Sequence, residues 1–157
     1  ENAIVNGNVN VAGDFVQGIN GAVTGMLNHD ATEFDAKTLS IGGDFVANHG
    51  NTEYQISSDV VFGANLIVND GAIVDFIAGN KINALNTKIV NDGTLRLKAD
   101  DGMVFSSAVN NSGVLHFNSG NDSLVLGGLV LNGGNLVLSG AKAYINDLIN
   151  ITKNIHK

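Results

Sequence analysis

Asp70 and Asp92 each close the string Val-Asn-Asp before a glycine, and paired carboxylates repeated at such an interval are the arrangement in this chain best suited to a hard cation. If the two turns stack in a repeating coil, their carboxylates lie about 5 Å apart. Turn aspartates facing water are the plainer reading, because Asp forms turns through its own backbone hydrogen bonds. No metal ligand is therefore assigned. Asp75 and Arg96 offer a second constellation. Polysaccharide-cleaving β-helices need an acid and a base flanking one bond, and this carboxylate and guanidinium are the nearest approach to that here. A surface ion pair is the ordinary reading of the same two residues, so no catalytic residue is assigned either.

Other candidates are weaker. Gly120, Asn121, Asp122, Ser123 and Leu124 echo one copy of the calcium-binding nonapeptide repeat, which needs tandem copies to surround its ion. His29, His49, His116 and His156 form no metal-ligand spacing with one another, and cysteine is absent. No nucleophile elbow, phosphate loop or dinucleotide fingerprint occurs. A non-enzymatic protein without a cofactor is expected. The richest cluster of contact-forming side chains is in the segment 24–37, which holds Met26, Leu27, His29, Asp30, Glu33, Phe34 and Asp35. Loops projecting from a rigid scaffold are where binding collects, so these residues form the candidate binding set. The alternative is a short helix that covers the open end of a solenoid with Leu27 and Phe34, because bare strand edges invite aggregation.

These residues ride on a repeating frame. Gly50, Gly71, Gly93, Gly113 and Gly134 recur at intervals of 21, 22, 20 and 21 residues. An asparagine precedes each by two positions (Asn48, Asn69, Asn91, Asn111, Asn132) and a β-branched aliphatic by four (Val46, Ile67, Ile89, Val109, Val130). A fixed period of this size is the mark of a repeat protein whose units pack on their neighbours. Each unit reads strand, turn, strand. After the glycine, Thr52, Ile73, Leu95, Leu115 and Leu136, then Tyr54, Asp75, Leu97, Phe117 and Leu138, alternate with residues such as Glu53, Arg96 and His116 that belong to the other face. Asp75 breaks the pattern and Phe76 follows it, which predicts a bulge or one-residue shift that turns Asp75 out and Phe76 in.

Two strands per period with little room for a helix predict a right-handed parallel β-helix of about seven coils, each of roughly 21 residues. The five aliphatics should form one buried column, the glycines positive-φ turns, and the five asparagines an internal amide ladder. A leucine-rich repeat shares the period but needs one strand and a longer return. The whole of 1–157 reads as a single solenoid segment, with 24–37 as an excursion and 143–157 as a possible cap. In that cap Ile145, Leu148, Ile149 and Thr152 have helical spacing, while the isoleucines and threonine favour a strand.

Composition agrees. The chain of 157 residues is 44% hydrophobic with a mean hydropathy of +0.16, so it should fold. Proline is absent, which suits segments that must all pair, and asparagine is at least as common as glycine, of which there are 20. A net charge of −7 leaves no basic stripe for phosphates, so nucleic acid and anionic membrane are poor partners. No apolar run approaches the roughly 20 residues of a membrane span, and Glu1 to Gly7 lack the character of a signal peptide, so a mature chain or excised segment is expected.

In the last repeat, Gly133-Gly134-Asn135-Leu136-Val137-Leu138-Ser139-Gly140-Ala141-Lys142-Ala143-Tyr144 resembles the passenger-associated transport repeat of autotransporters, a pattern near G-G-x-L-x-L-S-G-x-N-x-Y. Weaker relatives, VNDGTLRLKADD and VNNSGVLHFNSG, extend the likeness from about Ala47 to Tyr144. The amide-rich, proline-free style resembles in particular the surface-antigen autotransporters of rickettsiae. That resemblance implies a passenger segment secreted through a β-barrel and displayed on the bacterial outer membrane as an adhesin. The implied partner is a host cell-surface or extracellular-matrix protein, and the implied state a monomer without membrane insertion. A structural stalk displaying a distal domain is the alternative, and a glycan-cleaving enzyme a third.

Overall fold

The computed structural model describes residues 38–84, 87–107, 109–130 and 132–146 with their side chains, and the strand backbone at 2–5, 9–11, 15–16, 20–23, 27–29, 33–36, 108, 131, 148–151 and 155–156. Three strand segments, rather than the two expected, make a rung. Thr38–Ile41, Phe45–Ala47 and Gly50–Ile56 form the first rung with all its side chains described. Val60–Phe62, Leu66–Val68 and Ala72–Ala78 form the next, followed by Ile82–Ala84, Ile89–Asn91 and Thr94–Ala99. In the last two rungs the first two segments fuse, giving Met103–Asn111 with Val114–Asn118, and Ser123–Leu131 with Asn135–Ser139.

Each strand pairs in parallel with its equivalent on the neighbouring rung, which makes the chain a parallel β-solenoid of about five turns. The ladders form one 14-stranded and one 8-stranded sheet. Strands at Asn2–Val5, Val9–Val11, Phe15–Val16, Asn20–Val23, Leu27–His29 and Glu33–Ala36 continue the same order on one side, and Lys142–Ile145, Leu148–Ile151 and Ile155–His156 on the other.

Period-two alternation decides what enters the core. Along Ala72–Ala78, Ala72, Val74, Phe76 and Ala78 are buried, while Ile73, Asp75 and Ile77 face outward. The one-residue shift expected at Asp75 is present, without a bulge, because Phe76 pairs with Tyr54 and Leu97 in unbroken ladders. Aromatic rings cluster in the interior. Tyr54 stacks on Phe76 at 4.5 Å between centroids, and Phe45 and Phe62 meet Phe76 edge-on at 5.2 and 4.9 Å. Such geometry adds about 0.5–1.5 kcal/mol per pair beyond burial. Phe105 and Phe117 make a separate, tilted contact further along the coil, at 5.6 Å.

The expected aliphatic column is corrected. Val46 and Ile67 pair with one another and then with Val90, all half-buried on the outer face, and Val130 belongs to the same column through Asn110. The buried column is Phe45, Leu66, Ile89, Val109 and Leu129. The place of glycine in the turn is the cause. Asn69 and Asp70 separate Val68 from Gly71, whereas Asp92 alone separates its partner Asn91 from Gly93, so counting back from glycine lands on opposite faces in the two rungs.

The asparagines divide for the same reason. Asn91 and Asn111 are buried and bonded to each other, Nδ2 of Asn91 donating to Oδ1 of Asn111 at 2.7 Å. Asn48 and Asn69 bond on the outside at 2.9 Å, and Asn132 bonds outside to Asn110 at 2.6 Å. Glycine also serves two purposes. Gly71 takes φ +83 in an open turn, as expected, but a Cβ at Gly113 would stand 2.0 Å from the Gly93 carbonyl oxygen, so close stacking is what requires glycine there.

Candidate functional site

The outward face of the eight-stranded sheet carries a row of ionisable side chains. Glu53, Asp75, Arg96, His116 and Val137 occupy one column, a single residue per rung, because each lies between two inward residues of its strand. Asn51, Ile73, Thr94, Val114 and Asn135 flank it on one side, and Gln55, Ile77, Lys98, Asn118 and Ser139 on the other.

Arg96 bridges one rung to the next. Its Nη1 donates to both carboxylate oxygens of Asp75, at 3.1 and 3.0 Å. The two ends differ in exposure, the Arg96 side chain being 50% accessible and that of Asp75 14%. Loss of hydration at Asp75 raises its carboxyl above the ordinary value and outweighs the lowering influence of Arg96 in both charge and hydrogen bonding; Glu53 raises it further and His116 lowers it. Glu53 accepts a hydrogen bond from the Gln55 amide. His116 Nε2 shares a hydrogen bond with Ser139 Oγ at 3.1 Å, and the Ser139 hydroxyl also donates to the Phe117 carbonyl at 3.3 Å.

Hollows of about 290, 240 and 360 Å³ lie elsewhere, around Ser139 to Lys142, around Lys81, Asp101 and Asp122, and over the turns of Asp70 and Asp92, and none is lined by Asp75 or Arg96. The Asp75 carboxylate clamped by a guanidinium, with Glu53 one rung away, can bind a charged group.

Asp70 and Asp92 do not occupy equivalent positions. They sit in turns of four and two residues between the same two ladders, which pair neither of them, and the Asp92 carboxylate accepts a hydrogen bond from the Ser112 hydroxyl on the next rung. Asp122 caps its own turn, accepting from the Ser123 amide at 2.7 Å. Among the described residues no three His, Cys, Asp or Glu side chains converge as a metal site. His49 and His116 stand on different elements.

Of the candidate binding set, Met26 and Asp30 lie outside the described residues, as do the side chains of Leu27, His29, Glu33, Phe34 and Asp35. Their backbone is threaded into the ladders. Leu27 pairs with Val9 and Phe45, and Phe34 with Phe15 and Tyr54, while Glu33 is level with Glu53 and Asp35 with Gln55.

A second outward column lies on the other sheet, where Val61, Asn83, Val104, Val125 and Tyr144 follow one another through successive ladders. Tyr144 is 53% exposed and Val61 39%. Sequence reasoning passes over these positions, since strands such as Val60–Phe62 are apolar on both faces and hide the alternation. In the Gly133 to Tyr144 stretch, Leu136 and Leu138 point inward and Gly140, at φ +114, turns the chain directly over buried Ser119.

Among the described residues no helix is long and apolar enough to cross a membrane. The chain matches no protein-family model, and neither a curated protein nor a solved structure matches it.

Proposed function

We propose that this chain is a surface-exposed segment of a bacterial autotransporter passenger domain, located outside the outer membrane and acting in adhesion to host cells or matrix rather than in catalysis. The observation that carries the reading is the ordered outer surface of the solenoid. Exposed Val61 and Tyr144 share one outward column, with Asn83 and half-buried Val104 and Val125 between them, and a charged column runs along the other sheet. Exposed aromatic and aliphatic side chains in rows are the material of protein contact. The partner is a host cell-surface or extracellular-matrix protein, met through shape, hydrogen bonds and local charge; nucleic acid and membrane insertion play no part. The 24–37 residues Met26, Leu27, His29, Asp30, Glu33, Phe34 and Asp35 belong to the proposed contact surface.

Right-handed winding and about seven coils complete the proposal, on the general handedness of parallel crossovers and the period of about 21 residues. A stalk that spaces a distal domain is the second reading, favoured by the parallel ladders that run from rung to rung. Beads coated with the chain should attach saturably to host cells or matrix, and Tyr144→Ala with Glu33→Lys should weaken attachment at least several-fold. Beads that fail to attach would defeat adhesion and leave the stalk.

A further inference from the structure

The charged column of the eight-stranded sheet is polarised. Glu53 and Asp75 are followed by Arg96 and His116, and register adds Glu33 beyond Glu53 and His156 beyond Val137. Acids therefore occupy one half of the column and bases the other. Reversal about the midpoint between Asp75 and Arg96 carries each half onto its opposite, which makes the face complementary in charge to itself. The flanking columns tolerate the same operation. Gln55 would meet Asn118, Ile77 would lie on the alkyl stem of Lys98, and Ile73 would meet Thr94, with no like charges opposed.

We propose that this face binds the same face of a second copy with the two solenoid axes antiparallel, so that Glu53 and Asp75 of each chain meet His116 and Arg96 of the other. An isologous contact of this kind needs a surface that complements itself under a two-fold rotation, which the column provides. A parallel pair is excluded by the same column, since Glu53 would face Glu53, Asp75 face Asp75 and Arg96 face Arg96. At the centre, Asp75 and Arg96 of both copies form an alternating square of four charges. The contact is small. Five rungs about 4.8 Å apart, with strands of about five residues, give roughly 400 Å² per copy, which belongs to the weak and transient class. Antiparallel self-association, in place of the monomer expected from the sequence, goes beyond the adhesive reading and does not depend on it.

Sedimentation velocity of the 157-residue chain tests the pairing. At low salt the chain should show a concentration-dependent dimer, weakened about tenfold or more in 0.5 M salt, where charges are screened within a few ångströms. Asp75→Arg and Arg96→Asp should each be monomeric alone, and their equimolar mixture should recover the dimer, because each chain then carries one sign of charge at the centre. Circular dichroism checks that both variants keep the β fold. If either does not, Glu53→Lys and His116→Glu give the same reciprocal test at the outer contacts. A wild type that stays monomeric at low salt overturns the proposal, as does undiminished association of either variant alone or failure of the mixture to recover it. Recovery only in the mixture places the contact on this face, and disulfide cross-linking reads its sense: Glu53→Cys should cross-link to His116→Cys and not to itself, and cross-linking of Glu53→Cys to itself overturns the antiparallel pairing.

Discussion

Asn91 and Asn111 are stacked one rung apart with both side chains wholly buried, and Nδ2 of Asn91 divides its donors between Asn111 Oδ1 at 2.7 Å and the Val114 carbonyl at 2.8 Å. Asn111 passes the pattern on, donating to the carbonyls of Gly113 and Asn135, each at 3.1 Å. Two amides thus bind the turns of three rungs into one network. In such a dry site an unpaired polar group costs more than a hydrogen bond gains.

Asn111→Ala should therefore destabilise by about 2–3 kcal/mol, since it orphans an Asn91 donor and removes the partner of two turn carbonyls. Asn48→Ala, on the exposed Asn48–Asn69 pair, should cost no more than about 0.5 kcal/mol, because water replaces the lost acceptor. Urea unfolding of both variants checks the contrast. Equal costs would mean that the buried pair has no special standing.

Two glycines predict a second contrast. At Gly71 nothing lies within 4 Å of an added Cβ, so Gly71→Ala meets only the strain of a positive φ, about 1 kcal/mol. At Gly113 the new methyl would stand 2.0 Å from one backbone oxygen and 2.8 Å from another, and backbone of two rungs must move. A loss of at least about 3 kcal/mol, or failure to fold, is expected for Gly113→Ala. Thermal melts that rank the two variants the other way would contradict the close stacking of turns.

The period of the solenoid is legible in the sequence because every rung must return to the same place, and the side-chain alternation after each turn is legible because strands have period two. Asp75 and Phe76 show how far this reaches, since polarity alone places one outside and the other inside. The column before the turn is not legible from the glycines. The link Asn69 to Ala72 carries one residue more on each side of its glycine than Asp92 and Gly93 do, and a turn in water can gain or lose residues without disturbing the ladders on either side. An alignment on turn glycines therefore loses its parity. Counting from the glycines alone would set Asp75 opposite Leu97; its pairing with Arg96 is recovered because the polarity of Asp75 and Phe76 signals the extra residue after Gly71.

That parity yields a direct test. Ile67 and Ile89 stand at the same distance before their glycines, yet Ile67 is half-buried on the outer face and Ile89 is wholly buried. Ile89→Asp places an unpaired carboxylate in the dry column between Leu66 and Val109, at a cost of about 4 kcal/mol or more. Ile67→Asp loses packing and strand preference on a wet face, about 1–2 kcal/mol. Equal losses in urea unfolding would restore the glycine-based register and overturn the one described.

Asp75 is where pH should act on stability. Dehydration lifts its carboxyl above the ordinary 3.8, with Glu53 acting in the same direction and Arg96 and His116 against it. The folded chain therefore holds this proton more tightly than the unfolded chain. As pH rises from below 3.8, the unfolded state releases its proton first, so the stability contributed by Asp75 falls until the folded carboxyl has also ionised, and stays level above that. Asp75→Asn keeps the shape and cannot ionise. The stability of the variant relative to wild type should climb across that window and then become constant. Arg96→Met removes the main group that favours the ionised carboxylate, so in that background the window should extend to higher pH. Urea unfolding at a series of pH values measures both curves, and a variant-minus-wild-type difference that is flat with pH, or falls, would show that Asp75 is not held as its surroundings require.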